Sequence, residues 1–338
     1  MKVLGELETI QGMELVSSLE ELSATREDVI IDSRKVSKSE LYAWRQQHPT
    51  GKVYYLVEEK DPVLDAFARA QDVQLVLSGD IPHLLRGQTL SDQPVLALWG
   101  VVPRVGTTLL ALALGRVMTE MHGGHVGVIG LNGYNPGFWM LKEQDHALDD
   151  VLSSVRTKRI DGTTLQTAMV TMSHKLSYLP GLRNALHALE FQPEDVQFLL
   201  SVAKRSFDVV IVDVGSVLNT ALALEGIRQA THRYCVSSDR FSAQQQYFQQ
   251  MDYCLKPMGL SSEHWMLVGN QLYGKQEVLA KSLGMLPVAG IAYQDRFDMY
   301  AEQQPDPIQY FLDDRRTKKA LETIVTSVID TKRERVVK

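Results

Sequence analysis

Short β-branched runs alternate with helix-forming stretches along the first part of the chain. Asp28 to Asp32, Lys52 to Val57 and Val73 to Leu77 have the length and make-up of buried strands, and the stretches Leu41–Gln47 and Pro62–Ala70 between them read as helices. That alternation predicts a small parallel α/β unit over residues 1–90. The segment from Arg86 to Pro94 is polar and punctuated by Gly87 and Pro94, as a linker would be. A second series begins at Val95-Leu-Ala-Leu-Trp99 and runs through a loop into an apolar helix from Thr108 to about Met121. Further strands are expected at His125–Gly130, Lys175–Leu179, Asp208–Asp213, Arg233–Ser237, Trp265–Val268 and Val288–Ile291. Residues 91–338 are therefore expected to form a doubly wound, mostly parallel sheet with a ligand crevice at the carboxyl ends of its strands.

Composition narrows the function classes. Of 338 residues, 44% are hydrophobic and 22% charged, the balance of a soluble globular protein. A formal net charge of -6 argues against a surface built to grip nucleic acid. Cys235 and Cys254 have no metal-ligand spacing around them, which fits a reducing cytoplasm. The stretch Met1 to Glu6 lacks the apolar core of a secretory leader, and no apolar run reaches the ~18 residues of a membrane span.

The candidate chemistry lies in the first loop of the second series. A phosphate-binding loop reads G-x-x-x-x-G-K-[ST]: backbone amides and a helix N-terminus hold the phosphates, the lysine neutralises them and the hydroxyl ligates magnesium. Here the corresponding stretch is Val101-Val-Pro-Arg-Val-Gly106-Thr107-Thr108. Only Gly106 and Thr108 match, Gly100 lies one residue upstream of the expected first glycine, and Thr107 replaces the lysine. Pro103 removes one backbone donor and fixes φ in a loop that usually relies on glycine. Arg104 is the only cation left in the loop, either a substitute phosphate ligand or a solvated surface arginine.

The order of the remaining segments resembles the MinD/ParA family of P-loop ATPases from Val95 to Phe297. The matching segments are Gly130-Leu-Asn132, His146 to Leu152, Leu176 to Gly181, Phe207 to Gly215, Val268-Gly-Asn270-Gln and Gly284 to Tyr293. An α/β unit placed ahead of such a domain is similar to the CpaE/TadZ proteins of Flp-type pilus assembly, whose first domain is receiver-like. The resemblance implies ATP and Mg2+ as ligands, held weakly or not at all, with Gly100, Arg104, Gly106, Thr107, Thr108, Asn132, Asp213 and Asn270 around the nucleotide. It further implies Thr108 and Asp213 at the metal, a homodimer, and protein partners in a pilus or secretion assembly. The departures all remove phosphate charge or water activation: the family's signature lysine falls on Val102, its loop lysine on Thr107 and its catalytic aspartate on Asn132. A pseudo-ATPase scaffold is therefore expected, with an unusual active ATPase or a DNA-partition adaptor as alternatives.

Plainer roles stand beside these. Thr107 and Thr108 also suit the cap of the following helix, Asn132 a turn, Asp213 a strand-end cap, and Asn270 a bond to a neighbouring loop. Asp32 stands where a receiver has its phosphoacceptor, but the acidic pair, hydroxyl and lysine that should support it are missing. Only Glu6 and Glu8 qualify as acidic candidates, and Glu58 stands where the hydroxyl belongs and Ser78 where the lysine does. The tail from Arg315 to Arg335 reads as an amphipathic helix with Leu321, Ile324, Val325, Val328 and Ile329 on one face. That face suits either packing on the domain or peripheral contact with the inner face of a membrane.

Overall fold

In the computed structural model of this chain, the residues described are 2–4, 14–15, 18–22, 29–47, 53–58, 73–77, 93–134, 137–141 and 146–336. The helix expected at Pro62–Ala70, Glu6, Glu8, Ser78 and residues 86–92 of the expected linker lie outside them. The chain divides into two compact units, Met1–Asp92 and Gln93–Lys338.

The first unit holds strands β1 (Lys2–Leu4), β2 (Glu14–Leu15), β3 (Val29–Asp32), β4 (Val53–Val57) and β5 (Val73–Leu77) in the order β2-β1-β3-β4-β5. Every pairing is parallel. The chain leaves β1 for one neighbour and returns on the other side as β3, so the order reverses between β1 and β3, and Asp32 closes β3 at that reversal. Its carboxylate is buried and accepts from the Arg34 amide at 2.9 Å and from the Arg34 guanidinium at 2.7 Å. A local ion pair thus occupies the carboxylate that the sequence marks as a candidate phosphoacceptor.

The second unit is an eight-stranded sheet. Its strands are β6 (Val95–Gly100), β7 (Val126–Gly130), β8 (Val170–Ser173), β9 (Leu176–Leu179), β10 (Val209–Asp213), β11 (His232–Ser237), β12 (Met266–Leu272) and β13 (Leu286–Ala292). The order is β13-β12-β11-β6-β10-β7-β9-β8, and only the β8–β9 pairing is antiparallel. Both faces of the central strands are covered. In β6, Val95, Ala97 and Trp99 enter one core cluster while Leu96 and Leu98 enter the other, and β10 divides Val210 and Val212 from Val209 and Ile211 in the same way. This two-sided burial explains why these strands read as unbroken apolar runs. Edge strand β8 was not expected from the sequence, because Val170-Thr-Met-Ser173 alternates weakly and has only its partner β9 to define it.

The helix Arg315–Val336 closes the unit. Leu321, Ile324, Val325 and Val328 recur at the spacing of one helical face and are at most 3% exposed, packed into the cluster that also holds the helix Thr107–His122. Lys318 pairs with Glu120 of that helix at 2.9 Å. The stripe is thus packed into the protein core, the first of the two readings open to that face: over these four residues the apolar area is already removed from water. Among the described residues no helix is long and apolar enough to cross a bilayer.

Leu321→Ala is expected to lower the unfolding free energy by about 2–5 kcal/mol, the usual effect of emptying a buried leucine site. Urea denaturation with and without lipid vesicles checks this; an unchanged midpoint without vesicles would show that the stripe is not packed.

Candidate functional site

Strand β6 lies between β11 and β10, and the chain passes from it to β7 on one side and later to β11 on the other. The loop at its carboxyl end therefore opens where the strand order reverses, the usual position of a ligand crevice in such sheets. The sheet holds the loop's first residues. The Gly100 amide donates to Gly215 O and the Val101 amide to Val236 O, both at 2.9 Å. A side chain on Gly100 would collide with Thr107 Oγ1.

Two side chains from the end of β12 shape the rest of the loop. Asn270 Nδ2 donates to Val105 O at 2.7 Å, and Gln271 Nε2 donates to Arg104 O at 3.0 Å. With those carbonyls tied to β12, Gly106 adopts φ 91°, in the left-handed region that glycine tolerates best, and forms the N-cap of the helix Thr107–His122. The cap is this glycine and not a threonine, since no side chain caps the helix; that corrects the capping role open to Thr107 and Thr108. The first amides of the helix have no intrahelical acceptor and carry the positive end of its dipole, so they suit an anion.

Below the loop, one carboxylate gathers three elements. Asp213, fully buried at the end of β10, accepts from Thr108 Oγ1 at 2.5 Å, from Asn132 Nδ2 at 3.0 Å and from the Gly215 amide at 3.1 Å. Burial pushes its carboxyl up to about 6, and the bonds from Thr108, Gly215 and Asn132 oppose that rise. Asn132 lies past the end of β7 and is 7% exposed. Its bond to Asp213 makes it a structural donor, and an amide cannot take a proton from water.

The cleft above is about 840 Å³ in volume. Arg104, Gly106, Thr107, Thr108 and Asn270 line it, whereas Gly100, Asn132 and Asp213 lie outside the lining. Three arginines stand on its walls, Arg104, Arg240 and Arg296, and no lysine does among the described residues. Arg104 is 86% exposed in its side chain and meets Asp298 at 3.4 Å, so the loop's one cation faces an acidic group across the cleft. Arg240 and Arg296 were missed by the sequence reading because no motif marks them; only the strand ends before them, at Ser237 and Ala292, could have pointed there. Arg104, Gln271 and Arg296 also have φ of 65°, 56° and 54°, so three of the four non-glycine positive-φ residues described lie on this cleft. Such conformations cost on the order of 1 kcal/mol each and persist where surrounding bonds impose them, as the Asn270 and Gln271 bonds do around Arg104.

Magnesium fits this donor set. The ion usually takes one or two protein oxygens and completes its shell with water and phosphate, and Thr108 Oγ1 and Asp213 are such a hydroxyl and carboxylate. Among the described residues no cluster of three or more His, Cys, Asp or Glu side chains could hold an ion by protein ligands alone. Thr108 Oγ1, on the cleft wall, would hold the ion, with Asp213 behind it as the acceptor of that hydroxyl, and the ion would neutralise phosphate charge beside the helix N-terminus.

No family model and no curated protein matches the sequence. By structure the chain is similar to a ParA-family ATPase from Chlorobium tepidum TLS, at 14% identity over 70% of this chain and 99% of that one, with a TM-score of 0.58. It is also similar to the septum site-determining protein MinD from Pyrococcus horikoshii OT3, complexed with Mg-ADP, at 17% identity over 70% and 95%, TM-score 0.54. A putative plasmid partition protein from Borrelia burgdorferi B31, bound to AMPPNP, matches at 10% identity over 71% and 99%, TM-score 0.54. The chain therefore contains the α/β fold of the MinD and ParA P-loop ATPases.

The sign of the Asp213 shift gives a pH test. An unfolded aspartate titrates near ~3.9, below the folded value, so the native state holds a proton that the unfolded chain has released. The resulting stability is complete below pH ~4 and is lost as pH rises through about 6. Relative to Asp213→Asn, the ligand-free wild type is expected to lose about 2 kcal/mol between pH 4 and pH 7. Denaturant titrations across that range measure it, and a flat difference would show that the carboxylate is not desolvated.

Proposed function

We propose that this protein is a degenerate MinD/ParA-like ATPase that acts as a localisation or assembly scaffold, in the manner of the CpaE/TadZ proteins of Flp-type pilus or secretion machinery, with weak or no ATP hydrolysis. One observation carries the reading. The phosphate cradle keeps its shape, through Gly106, the helix amides and the Thr108–Asp213 pair, while Val102, Thr107 and Asn132 stand where charge and water activation belong. Phosphoryl transfer depends mainly on positioning and electrostatic stabilisation, and each lost contact of this kind lowers the rate about a hundredfold. Three such losses leave binding as the remaining capacity of the site.

The first unit, a parallel sheet ahead of this fold, supports the CpaE/TadZ reading and serves as a docking module. The homodimer follows from the resemblance, in which two subunits sandwich nucleotide. The buried stripe of the last helix speaks against a membrane role for that helix, and the net charge of -6 against a DNA adaptor. A second reading, an active though unusual ATPase in partitioning or localisation, draws on Arg104, Arg240 and Arg296 as substitute cations.

Isothermal titration with ATP and magnesium beside light scattering, followed by a turnover assay, tests the proposal. Weak or absent binding without turnover is expected, and magnesium-dependent hydrolysis at the rate of an ordinary MinD would overturn it. Thr107→Lys is expected to tighten Mg-ATP binding about 10- to 100-fold, as a charge-assisted hydrogen bond of about 1.5–3 kcal/mol does. Incubation with acetyl phosphate and magnesium is expected to leave the intact mass unchanged, since Arg34 occupies Asp32. A gain of one phosphoryl group, lost in Asp32→Asn, would restore the receiver reading.

A further inference from the structure

The helix Phe241–Gln250 passes directly into a π-helical turn at Met251–Leu255, and its last residue reaches under the phosphate loop. Gln250 Oε1 accepts from Trp99 Nε1 at 3.0 Å, and Gln250 Nε2 faces Val101 O at 3.4 Å and Ser216 O at 3.3 Å. The indole nitrogen only donates and the two carbonyls only accept, so this network admits one orientation of the amide. No other side chain of this length offers an acceptor on one side and two donors on the other. Turned over, the amide would set donor against donor and its oxygen against two carbonyls.

The partners give this arrangement its meaning. Val101 opens the phosphate loop, and Ser216 belongs to the turn that follows Asp213. The last bond of the ladder between these segments is Gly100 N to Gly215 O, and Gln250 joins them one residue further out, where the sheet itself no longer does. Its anchor is rigid. Trp99 is fully buried, with Trp265 edge-on at a centroid distance of 5.0 Å and Tyr247 at 6.1 Å, and Tyr247 OH donates to Leu283 O at 3.0 Å. π turns are rare and concentrate at functional sites, and this one begins at the residue after the amide.

We infer that Gln250 is a positioning residue that makes the phosphate loop and the Gly215–Ser216 turn move as one body, so that an anion on the loop orders the segment after Asp213. The inference rests on the reading of the loop as a phosphate site. Gln250 touches neither ligand nor metal in it; it acts through the two carbonyls.

The test uses the full-length protein, Mg2+ with ATP as probe, and amide hydrogen exchange read separately for residues 100–108 and 214–218. In the wild type, Mg-ATP is expected to slow exchange in both segments. Gln250→Met removes all three bonds at nearly constant volume. Gln250→Glu keeps an acceptor for Trp99 but has no donor for the carbonyls. Both variants are expected to bind about tenfold more weakly, the effect of losing two net hydrogen bonds, and to protect residues 100–108 without protecting 214–218. The indole N–H resonance of Trp99, assigned with Trp99→Phe, separates the parts of the network without ligand: it moves upfield in Gln250→Met and stays hydrogen-bonded in Gln250→Glu. Wild-type protection in both segments of both variants, with unchanged affinity, overturns the role of Gln250 and leaves the phosphate reading intact. No binding or protection in the wild type overturns this inference, while the scaffold reading, which allows an empty cleft, stands.

Discussion

The architecture of the site depends on one buried carboxylate. Asp213 ends β10, and its oxygens hold the helix after the phosphate loop through Thr108, the end of β7 through Asn132 and its own following turn through Gly215. A charge in a dry interior is tolerated only when its lone pairs are met, and here three donors meet them while burial still raises its proton affinity. Remove that group and a hydroxyl, an amide and a backbone N–H in the floor of the cleft lose their common acceptor. The carboxylate therefore has a structural reason to be present whether or not an ion sits beside it.

The loop above it is shaped by its neighbours and not by glycine. A glycine-rich loop with a lysine is shaped partly by its own freedom and partly by its ligand. Here valines and a proline restrict the chain, and neighbouring side chains impose the conformation instead: Asn270 and Gln271 tie down consecutive carbonyls, and Arg104 accepts a left-handed backbone as a result. Beside Arg104 in the loop, Arg240 and Arg296 stand on the facing walls of the cleft. Charge on those walls would attract an anion at long range but would lack a lysine's direct contact at the helix N-terminus.

Much of this was legible in the residues. The strand runs, the strand-loop-helix order and the position of the loop follow from patterns a few residues long, and of the segments resembling MinD and ParA proteins those at Gly215, Asn270–Gln271 and Ile291–Tyr293 reach the cleft wall. Thr108 and Asp213 were each named because each falls in a segment that resembles a family motif, but these segments lie 105 residues apart and only the fold brings the two side chains together. The role of Asn132 was open between turn and catalysis, and its bond to Asp213 had no local signal. Asn270 was equally open, and its partner Val105 lies 165 residues away in sequence. The cap role of the threonines was misread because residue type favours them there, whereas the backbone geometry that Asn270 and Gln271 impose assigns the cap to Gly106.

The amino-acid sequence by itself determined the α/β alternation, the apolar faces and the absence of lysine from residues 100–108, since each is a property of neighbouring residues and their periodicity. Only the tertiary structure decided which polar groups meet. It placed Asp213 under three donors, Arg240 and Arg296 across the cleft from the loop, Gln250 between two carbonyls, and the last helix on the core. These contacts join residues from different strands and helices, and their energies depend on burial and distance, quantities that come into existence only when the sheet has closed around them.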